Sequence, residues 1–121
     1  MCKLTNIKIA DRQIRVADIK KKYIPNIISS AAACDYIDKV VLFGSSLSED
    51  CTEESDIDIA VFGNQPKAKC LRSASYLRFV SNLSTFDNLS QRYDILYFKS
   101  GKKDRSFIMN EINKGVILYA R

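Results

Sequence analysis

The sequence predicts an α/β (α+β) domain with a mixed, mostly antiparallel β-sheet flanked by helices. Two observations lead to this class. Four short runs rich in apolar and β-branched residues have the length of strands, namely residues 38–44, 56–63, 92–98 and 116–119. Other segments carry apolar residues at helical spacing. Helices that alternate with strands in this way pack on the faces of a sheet.

The first predicted element is a helix over residues 14–35. Its apolar stripe comprises Ile19, Tyr23, Ile27 and Ala31. Pro25 interrupts this pattern because proline lacks an amide hydrogen, so we expect a kink or two shorter pieces. Residues 38–44 then form an apolar run that ends in glycine, which is typical of a strand buried on both faces.

The middle of the chain contains two further strands and a helix. A polar connection over residues 45–55 leads into the second strand, 56–63. Residues 66–83 predict a helix, because they begin with proline and continue with leucine and alanine at helical spacing. A loop at 84–90 then precedes the third strand, 92–98.

The C-terminal part predicts a last helix and strand. Residues 99–103 form a basic turn, and Asp104 is a suitable cap for a helix that runs to about residue 113. Gly115 is the expected stop, and residues 116–119 add a short strand. The predicted order is therefore α-β-β-α-β-α-β.

The composition is that of a globular protein with one core. The chain has 121 residues, of which 46% are hydrophobic and 27% are charged. No apolar run approaches the ~20 residues of a membrane helix. Residues 1–6 contain no apolar stretch of the signal-peptide type. We therefore expect a cytoplasmic protein with no membrane partner.

The rarer residue types narrow the chemistry. The sequence contains no histidine, which excludes Ser-His-Asp and Cys-His catalysis and histidine metal ligands within it. The four cysteines form no C-x-x-C pair, so we expect buried or incidental thiols. Any chemistry must then come from carboxylates, hydroxyls and cations.

The charge balance favours an anionic ligand or partner. Nineteen basic residues against fourteen acidic ones give a net charge of +5. A basic nucleic-acid-binding domain is therefore one alternative, with the lysines at 20–22 and in the turn at 99–103 as candidate contacts. For both groups a solvated surface is the interpretation that we favour.

An aspartate pair is the most informative feature. Asp56 and Asp58 open the second predicted strand, where side chains two residues apart project to the same side, about 7 Å apart. Like charges held side by side repel each other, and a divalent cation removes that penalty. Magnesium favours a few carboxylates together with phosphate oxygens and water. Asp94 on the third strand is the candidate for a third carboxylate, provided that the two strands are neighbours.

The first strand ends in Gly44-Ser45. Glycine permits tight curvature and close approach to a ligand, and the serine hydroxyl with the amides that follow can cradle a phosphate. No G-x-x-x-x-G-K-[ST] or G-x-G-x-x-G motif occurs, so P-loop and Rossmann folds lack support.

Gly44-Ser45, ten residues, and then Asp56-Ile57-Asp58 resemble the G-S-x(10)-D-x-D signature of the polymerase-β-like nucleotidyltransferase superfamily. The small size resembles the minimal, MNT-type branch. The resemblance covers roughly residues 39–120, and it implies one nucleotidyltransferase-like domain over 1–121. In that domain, residues 1–37 are a leading helical segment and 38–120 are the sheet and catalytic core.

The resemblance also implies the site. Asp56, Asp58 and Asp94 are expected to be the catalytic residues and to bind two Mg²⁺ ions. Gly44, Ser45 and Ser55 are the expected nucleotide-binding residues. The implied reaction transfers a nucleoside monophosphate, AMP from ATP, to a hydroxyl of a protein or nucleic acid and releases pyrophosphate.

One departure from the family pattern keeps a second alternative open. Many relatives have an arginine and then a second glycine after the Gly-Ser pair, where this chain has Ser46 and Glu49. Losing a cation and gaining an acid near the phosphates is expected either to weaken nucleotide binding or to shift its specificity. A non-catalytic module for nucleotide sensing or partner binding is therefore the alternative from another class.

The expected partner also follows from the resemblance. The chain is short for a separate acceptor-binding domain, so we expect a second protein or a second copy to complete the acceptor site. Minimal family members often pair with a small helical HEPN-type protein in toxin–antitoxin modules, and some add AMP to a tyrosine of that partner.

Overall fold

The computed structural model describes residues 2–102 and 106–121. In chain order, its strands are β1 (Leu4–Ile9), β2 (Arg12–Ala17), β3 (Ile37–Phe43), β4 (Ile57–Gly63), β5 (Tyr93–Lys99) and β6 (Val116–Ala120). Its helices are α1 (Ile24–Ala32), α2 (Lys67–Leu71), α3 (Ala74–Thr85) and α4 (Phe107–Asn113). Short 3₁₀ helices cover Asp18–Tyr23 and Gly44–Leu47.

The central sheet has four strands in the order β5-β4-β3-β6. Strand β3 is antiparallel to both β4 and β6, whereas β4 and β5 are parallel. Parallel neighbours need a crossover, and α2 and α3 form it. The expectation of a mixed, mostly antiparallel sheet flanked by helices is therefore confirmed.

The N-terminal segment differs from the prediction. Strands β1 and β2 form an antiparallel hairpin, so residues 14–17, which were predicted to be helical, are a strand. Apolar and polar residues alternate over residues 6–9 and 13–16, and Ile14 and Val16 are buried while Arg15 is exposed. The turn contains Ala10 at φ 53° and no glycine, so it lacks the usual hairpin signal. The helix prediction holds only after residue 17, in two pieces with Pro25 in the first turn of α1.

The predicted helix over residues 66–83 is also two helices. Ser73 has extended dihedral angles, and its hydroxyl accepts a hydrogen bond from the Tyr76 amide at 3.2 Å. The same hydroxyl donates to the Cys70 carbonyl at 2.7 Å. Ser73 is therefore the N-cap of α3, and it ends the shorter α2 before it.

The sheet separates two apolar layers. The larger layer lies between the sheet, the hairpin, α1 and α3, and it buries Ile57, Ile59 and Val61 completely, as predicted. The smaller layer, on the other face, contains Val41, Phe43 and Ala60 of the sheet and Ile112 of α4. Residues 40–43 are buried, so β3 is covered on both faces, as predicted.

The remaining expectations concern the C-terminal end and the cysteines. The proposed helix cap Asp104 and the end of the basic turn, Lys103, lie outside the described residues. Helix α4 ends at Asn113, and Gly115 follows before β6.

All four cysteines are free, and Cys34, Cys51 and Cys70 are buried. In residues 2–102 and 106–121, no helix is long and apolar enough to cross a membrane.

Candidate active site

Three aspartates lie at one end of the two parallel strands. Asp58, the second residue of β4, is paired in register with Asp94, the second residue of β5. Residues paired in this way face the same side of a sheet. Asp56 lies just before β4, and the neighbouring Ile57 amide donates to the Arg92 carbonyl at 3.0 Å. The structure therefore places the three acids that the sequence singles out at the same end of two neighbouring strands.

The aspartates share the face of the sheet on which α4 packs. Ala60 and Phe62 continue the Asp58 side of β4, and Leu96 and Phe98 continue the Asp94 side of β5. Phe62 and Phe98 stack with their ring centroids 5.5 Å apart. This face therefore changes from charged at the strand starts to apolar further along, as the sequence predicts.

The environment of Asp58 disfavours its negative charge. The side chain is half-buried, and it lies between Phe43 on β3 and Asp94 on β5. Burial raises the pKa of Asp58 above 3.8, and the nearby carboxylates of Asp94 and Asp56 raise it further. A cation placed among these carboxylates would reverse both effects.

Asp56 already has a cationic neighbour. The Arg92 guanidinium Nε lies 3.6 Å from Asp56 Oδ1, and the two side chains are 84% and 46% exposed. Exposed pairs of this kind stabilise a protein by about 1 kcal/mol or less. Arg92 therefore holds Asp56 only weakly.

The carboxylates match a hard divalent cation in ligand type. Among the described residues, no group of three or more acidic, cysteine or histidine side chains stands close enough to enclose an ion. Magnesium does not require such a cage, because it keeps several waters and binds one or two protein carboxylates together with substrate phosphates. The half-buried carboxylate of Asp58, which makes no ion pair with any described residue, fits this requirement.

Gly44, from the Gly-Ser pair of the motif, lies directly against Asp58, from the aspartate pair. It has a φ of 77°, and an added Cβ would collide with Asp58 Oδ2. Only glycine therefore lets the backbone approach the aspartate so closely. Ser45 follows in the 3₁₀ helix Gly44–Leu47, which is too short to create a substantial helix dipole. Phosphate binding here would rest on individual amides and the Ser45 hydroxyl.

Two serines have structural surroundings that the sequence does not reveal. Ser46 is fully buried, and its hydroxyl has no hydrogen-bond partner among the described residues. This position therefore faces the interior, whereas Glu49 is exposed. The Ser55 hydroxyl is engaged within its own loop, because it accepts from the Thr52 amide at 3.0 Å. That bond favours a loop-shaping role for Ser55 over the predicted nucleotide contact.

A cleft beside Gly44 contains a cation that sequence reasoning missed. Its volume is about 320 Å³, and its lining includes Gly44, Leu47, Glu111 and Lys114. Lys114 Nζ lies 3.5 Å from Glu111 Oε1, and the lysine side chain is 74% exposed. Only the end of α4 brings Lys114 to Gly44, so spacing along the chain gives no signal for it.

The lysines at 20–22 were expected on a solvated helix face, and for Lys20 this is wrong. Lys20 is 1% exposed, whereas Lys21 and Lys22 are exposed. Lys21 pairs with Asp18 at 3.4 Å, and Lys22 pairs with Asp87 at 2.7 Å. Two of the three lysines thus meet acids, and the third is enclosed.

Comparison with known proteins agrees with this geometry. A family model described as "Polymerase beta, Nucleotidyltransferase" matches residues 25–121, which is most of the chain and includes all three aspartates. The match begins in α1, so the hairpin of β1 and β2 lies outside it. No curated protein matches the sequence significantly. The chain belongs to the polymerase-β-type nucleotidyltransferase family.

Proposed function

We propose that this protein is a magnesium-dependent nucleotidyltransferase of the minimal, MNT-type branch. It transfers AMP from ATP to a hydroxyl of a protein or nucleic-acid acceptor and releases pyrophosphate. The observation that supports this most is the pairing of Asp58 with Asp94 in register, with Asp56 beside them. Folding alone gives no reason to gather like charges at a half-buried position.

Asp56, Asp58 and Asp94 would hold two magnesium ions with the triphosphate. When bound, the ions supply positive charge to the phosphate oxygens, where negative charge develops during transfer. By holding these ions, the carboxylates would place the triphosphate at the exposed end of β4 and β5. Their contribution is therefore positioning and electrostatics, as in other phosphoryl transfers.

At the α-phosphorus, the transfer forms one bond and breaks one. The acceptor hydroxyl oxygen bonds to the α-phosphorus, and the bond from the α-phosphorus to the bridging oxygen of the β-phosphate breaks. Pyrophosphate leaves with that electron pair. Asp94, which is exposed, accepts the hydroxyl proton.

The first strand and α4 supply the contacts to the triphosphate. Gly44 lets the phosphates approach the backbone, and the Ser45 hydroxyl donates to a phosphate oxygen. Lys114 lines the same cleft, and its ammonium supplies the positive charge that position 46 does not offer. At about 320 Å³, the cleft suits a triphosphate better than a whole nucleotide.

The acceptor is proposed to be a small helical protein of HEPN type in a toxin–antitoxin module, or a second copy of the chain. An apolar groove of about 630 Å³ between the hairpin and α1 supports a helical partner, with Ile7, Ile9, Ile24 and Ile28 in its lining. Lys8 and Lys21 also line it, which favours an acidic helix.

Transfer from labelled ATP tests the reaction directly. The protein is incubated with Mg²⁺ and either α- or γ-labelled ATP, in separate reactions with a total protein extract and with tRNA. The proposal predicts acceptor labelling from α-labelled ATP alone, which is lost in Asp56→Asn. Asp50→Asn is the matched control, because Asp50 is an exposed acid of the same loop.

The same assay separates the alternatives. Magnesium-dependent ATP binding without transfer to either acceptor pool favours the non-catalytic module. Binding of tRNA that falls steeply with salt and is unchanged in Asp56→Asn favours the nucleic-acid-binding domain. Label from γ-labelled ATP would contradict nucleotidyl transfer, because it indicates a kinase.

A further inference from the structure

Lys20 is the one charged side chain that is fully buried among the described residues, with 1% of its surface exposed. Removing an ammonium group from water costs several kcal/mol unless other groups replace its hydration. Lys20 makes no ion pair with any described residue, and its three hydrogen-bond acceptors are neutral oxygens. Because burying this charge is unfavourable, its presence indicates a role other than keeping the protein soluble.

The three hydrogen bonds of Lys20 join segments far apart in sequence. The ammonium Nζ donates to the Ser55 carbonyl at 2.7 Å and to the Glu53 carbonyl at 3.2 Å. It also donates to the Gln91 side-chain oxygen Oε1 at 2.6 Å. An ammonium has three donors, so every one of them is used.

Gln91 extends this network to the second aspartate strand. Its side-chain nitrogen Nε2 donates to the Ser55 carbonyl at 3.0 Å and to the Arg92 carbonyl at 2.7 Å. The Arg92 carbonyl also accepts from the Ile57 amide at 3.0 Å. The bonds therefore converge on the residues that start β4 and β5.

We propose that Lys20 is a positioning residue that fixes the starts of β4 and β5, so that Asp56, Asp58 and Asp94 meet in one place. Ser55 immediately precedes Asp56, and Arg92 lies two residues before Asp94. Holding these two backbone positions fixes the separation of the acids. The effect on metal binding rests on the proposed function, whereas the effect on the loop does not.

Lys20 has two opposite effects on cation binding by the aspartates. Its positive charge weakens that binding, whereas its hydrogen bonds to the loop strengthen it, so the proposal can be tested. Burial lowers the pKa of Lys20, and the nearby carboxylates of Asp56, Glu53 and Glu54 oppose that shift. The Lys20 ammonium donates to the carbonyl of Ser55, the residue before Asp56, so its positive charge also acts against a cation bound at that aspartate. Removing its charge alone would tighten cation binding, whereas losing the positioned loop would weaken it.

Hydrogen exchange tests the positioning without any ligand. In Lys20→Met, amides of residues 52–58 are expected to exchange about tenfold faster than in wild type, because the loop loses its central donor. The Ser55 and Ile57 amides report this best, since both are hydrogen-bonded in the structure. Exchange in β6 should stay unchanged, and Lys21→Met should match wild type throughout. Unchanged exchange over 52–58 in a folded Lys20→Met protein would overturn the proposal.

Manganese titration, at a temperature where both proteins are folded, tests the consequence. Lys20→Met is expected to bind Mn²⁺ about tenfold more weakly than wild type, as is typical when a residue that supports ligands is lost. Equal or tighter binding would mean that the charge effect dominates, and would overturn the role in metal positioning. If wild type binds no Mn²⁺, the proposed function fails, and the exchange experiment still decides the role of Lys20.

A second variant covers the case in which Lys20→Met does not fold. Gln91→Leu removes the donors to the Ser55 and Arg92 carbonyls but keeps Lys20 and its charge. We expect faster exchange over residues 52–58 and weaker Mn²⁺ binding in this variant as well. Wild-type values for both measurements would contradict a positioning network.

Discussion

Asp58 and Asp94 face the same side of the sheet from directly paired positions on two parallel strands. They lie thirty-six residues apart in sequence, and the crossover of α2 and α3 joins their strands. Burial raises the pKa of Asp58, and the nearby charge of Asp94 raises it further. The fold therefore holds two carboxylates that repel each other side by side, and a bound cation would offset this repulsion.

Replacing Asp58 by asparagine should relieve this repulsion in the metal-free protein. Because the folded-state pKa of Asp58 lies above 3.8, ionisation destabilises the folded chain as the pH rises through that pKa. At pH 7, Asp58→Asn is therefore expected to be as stable as wild type or more stable. The advantage should vanish below about pH 3.8, where Asp58 is protonated in both states. Urea unfolding at several pH values measures it.

Added magnesium should reverse that order. Wild type gains stability from an ion that binds only the folded state, and Asp58→Asn gains less. A clear loss of stability in metal-free Asp58→Asn at pH 7 would instead identify Asp58 as a structural hydrogen-bond acceptor.

Replacing Gly44 by alanine should damage both the fold and the site. An alanine at a positive φ costs about 1 kcal/mol, and the Asp58 carboxylate must also move away from the added methyl group. Gly101→Ala is the matched control, because Gly101 has a φ of 80° and an added Cβ meets nothing within 4 Å. Denaturant unfolding should show a larger loss for Gly44→Ala. Equal losses would mean that the contact with Asp58 is unimportant.

Replacing Lys114 by methionine should weaken ATP binding. The substitution keeps the length of the side chain and removes its charge beside Gly44. A lost charge-assisted bond costs about 1.5–3 kcal/mol, so Kd for ATP should rise by about one to two orders of magnitude. Lys8→Met, on the exposed surface of the hairpin, is the control. An unchanged Kd would place the triphosphate elsewhere.

Replacing Asp87 by asparagine should lower stability at neutral pH. The Lys22 ammonium, with the hydroxyls of Ser90 and Tyr23, holds the pKa of Asp87 at about 2. A depressed pKa contributes stability above 3.8, and that stability is lost as the pH falls through about 2. Asparagine tolerates the φ of 60° at this position, so the variant isolates the charge.

The measurement for Asp87→Asn is the melting temperature as a function of pH. The variant should melt a few degrees below wild type at pH 7, and the two curves should meet near pH 2. Asp18→Asn is the control, since the ion pair that Asp18 makes with Lys21 is exposed. A difference that persists unchanged to pH 2 would indicate altered packing.

Sequence patterns predict the central sheet well, because each of its strands is apolar and ends at glycine or polar residues. The face of the acids follows from strand periodicity, so the positions of Ala60 and Phe62 relative to Asp58 could be foreseen. The pairing of Asp94 with Asp58 required one further condition, that their strands are neighbours. The structure meets that condition, and the roles of the residues remain a prediction.

The misses have local physical causes. The hairpin turn at Ala10 adopts a positive φ without glycine. The spacing of the isoleucines around it is compatible with the period of a strand and with that of a helix. Lys20 follows the hairpin in a basic run that is typical of solvated surface, and only tertiary contacts with Ser55 and Gln91 show that it is buried. Lys114 reaches Gly44 through the packing of α4, which no spacing rule describes.

Binding of Mn²⁺ in the presence of a non-hydrolysable ATP analogue, measured by calorimetry, tests the central claim most directly. The account predicts binding to wild type and to Asp50→Asn, and a loss of at least about tenfold in affinity in each of Asp56→Asn, Asp58→Asn and Asp94→Asn. Absence of binding to wild type, or equal affinity in all five proteins, would contradict the claim that these three aspartates form a metal–nucleotide site.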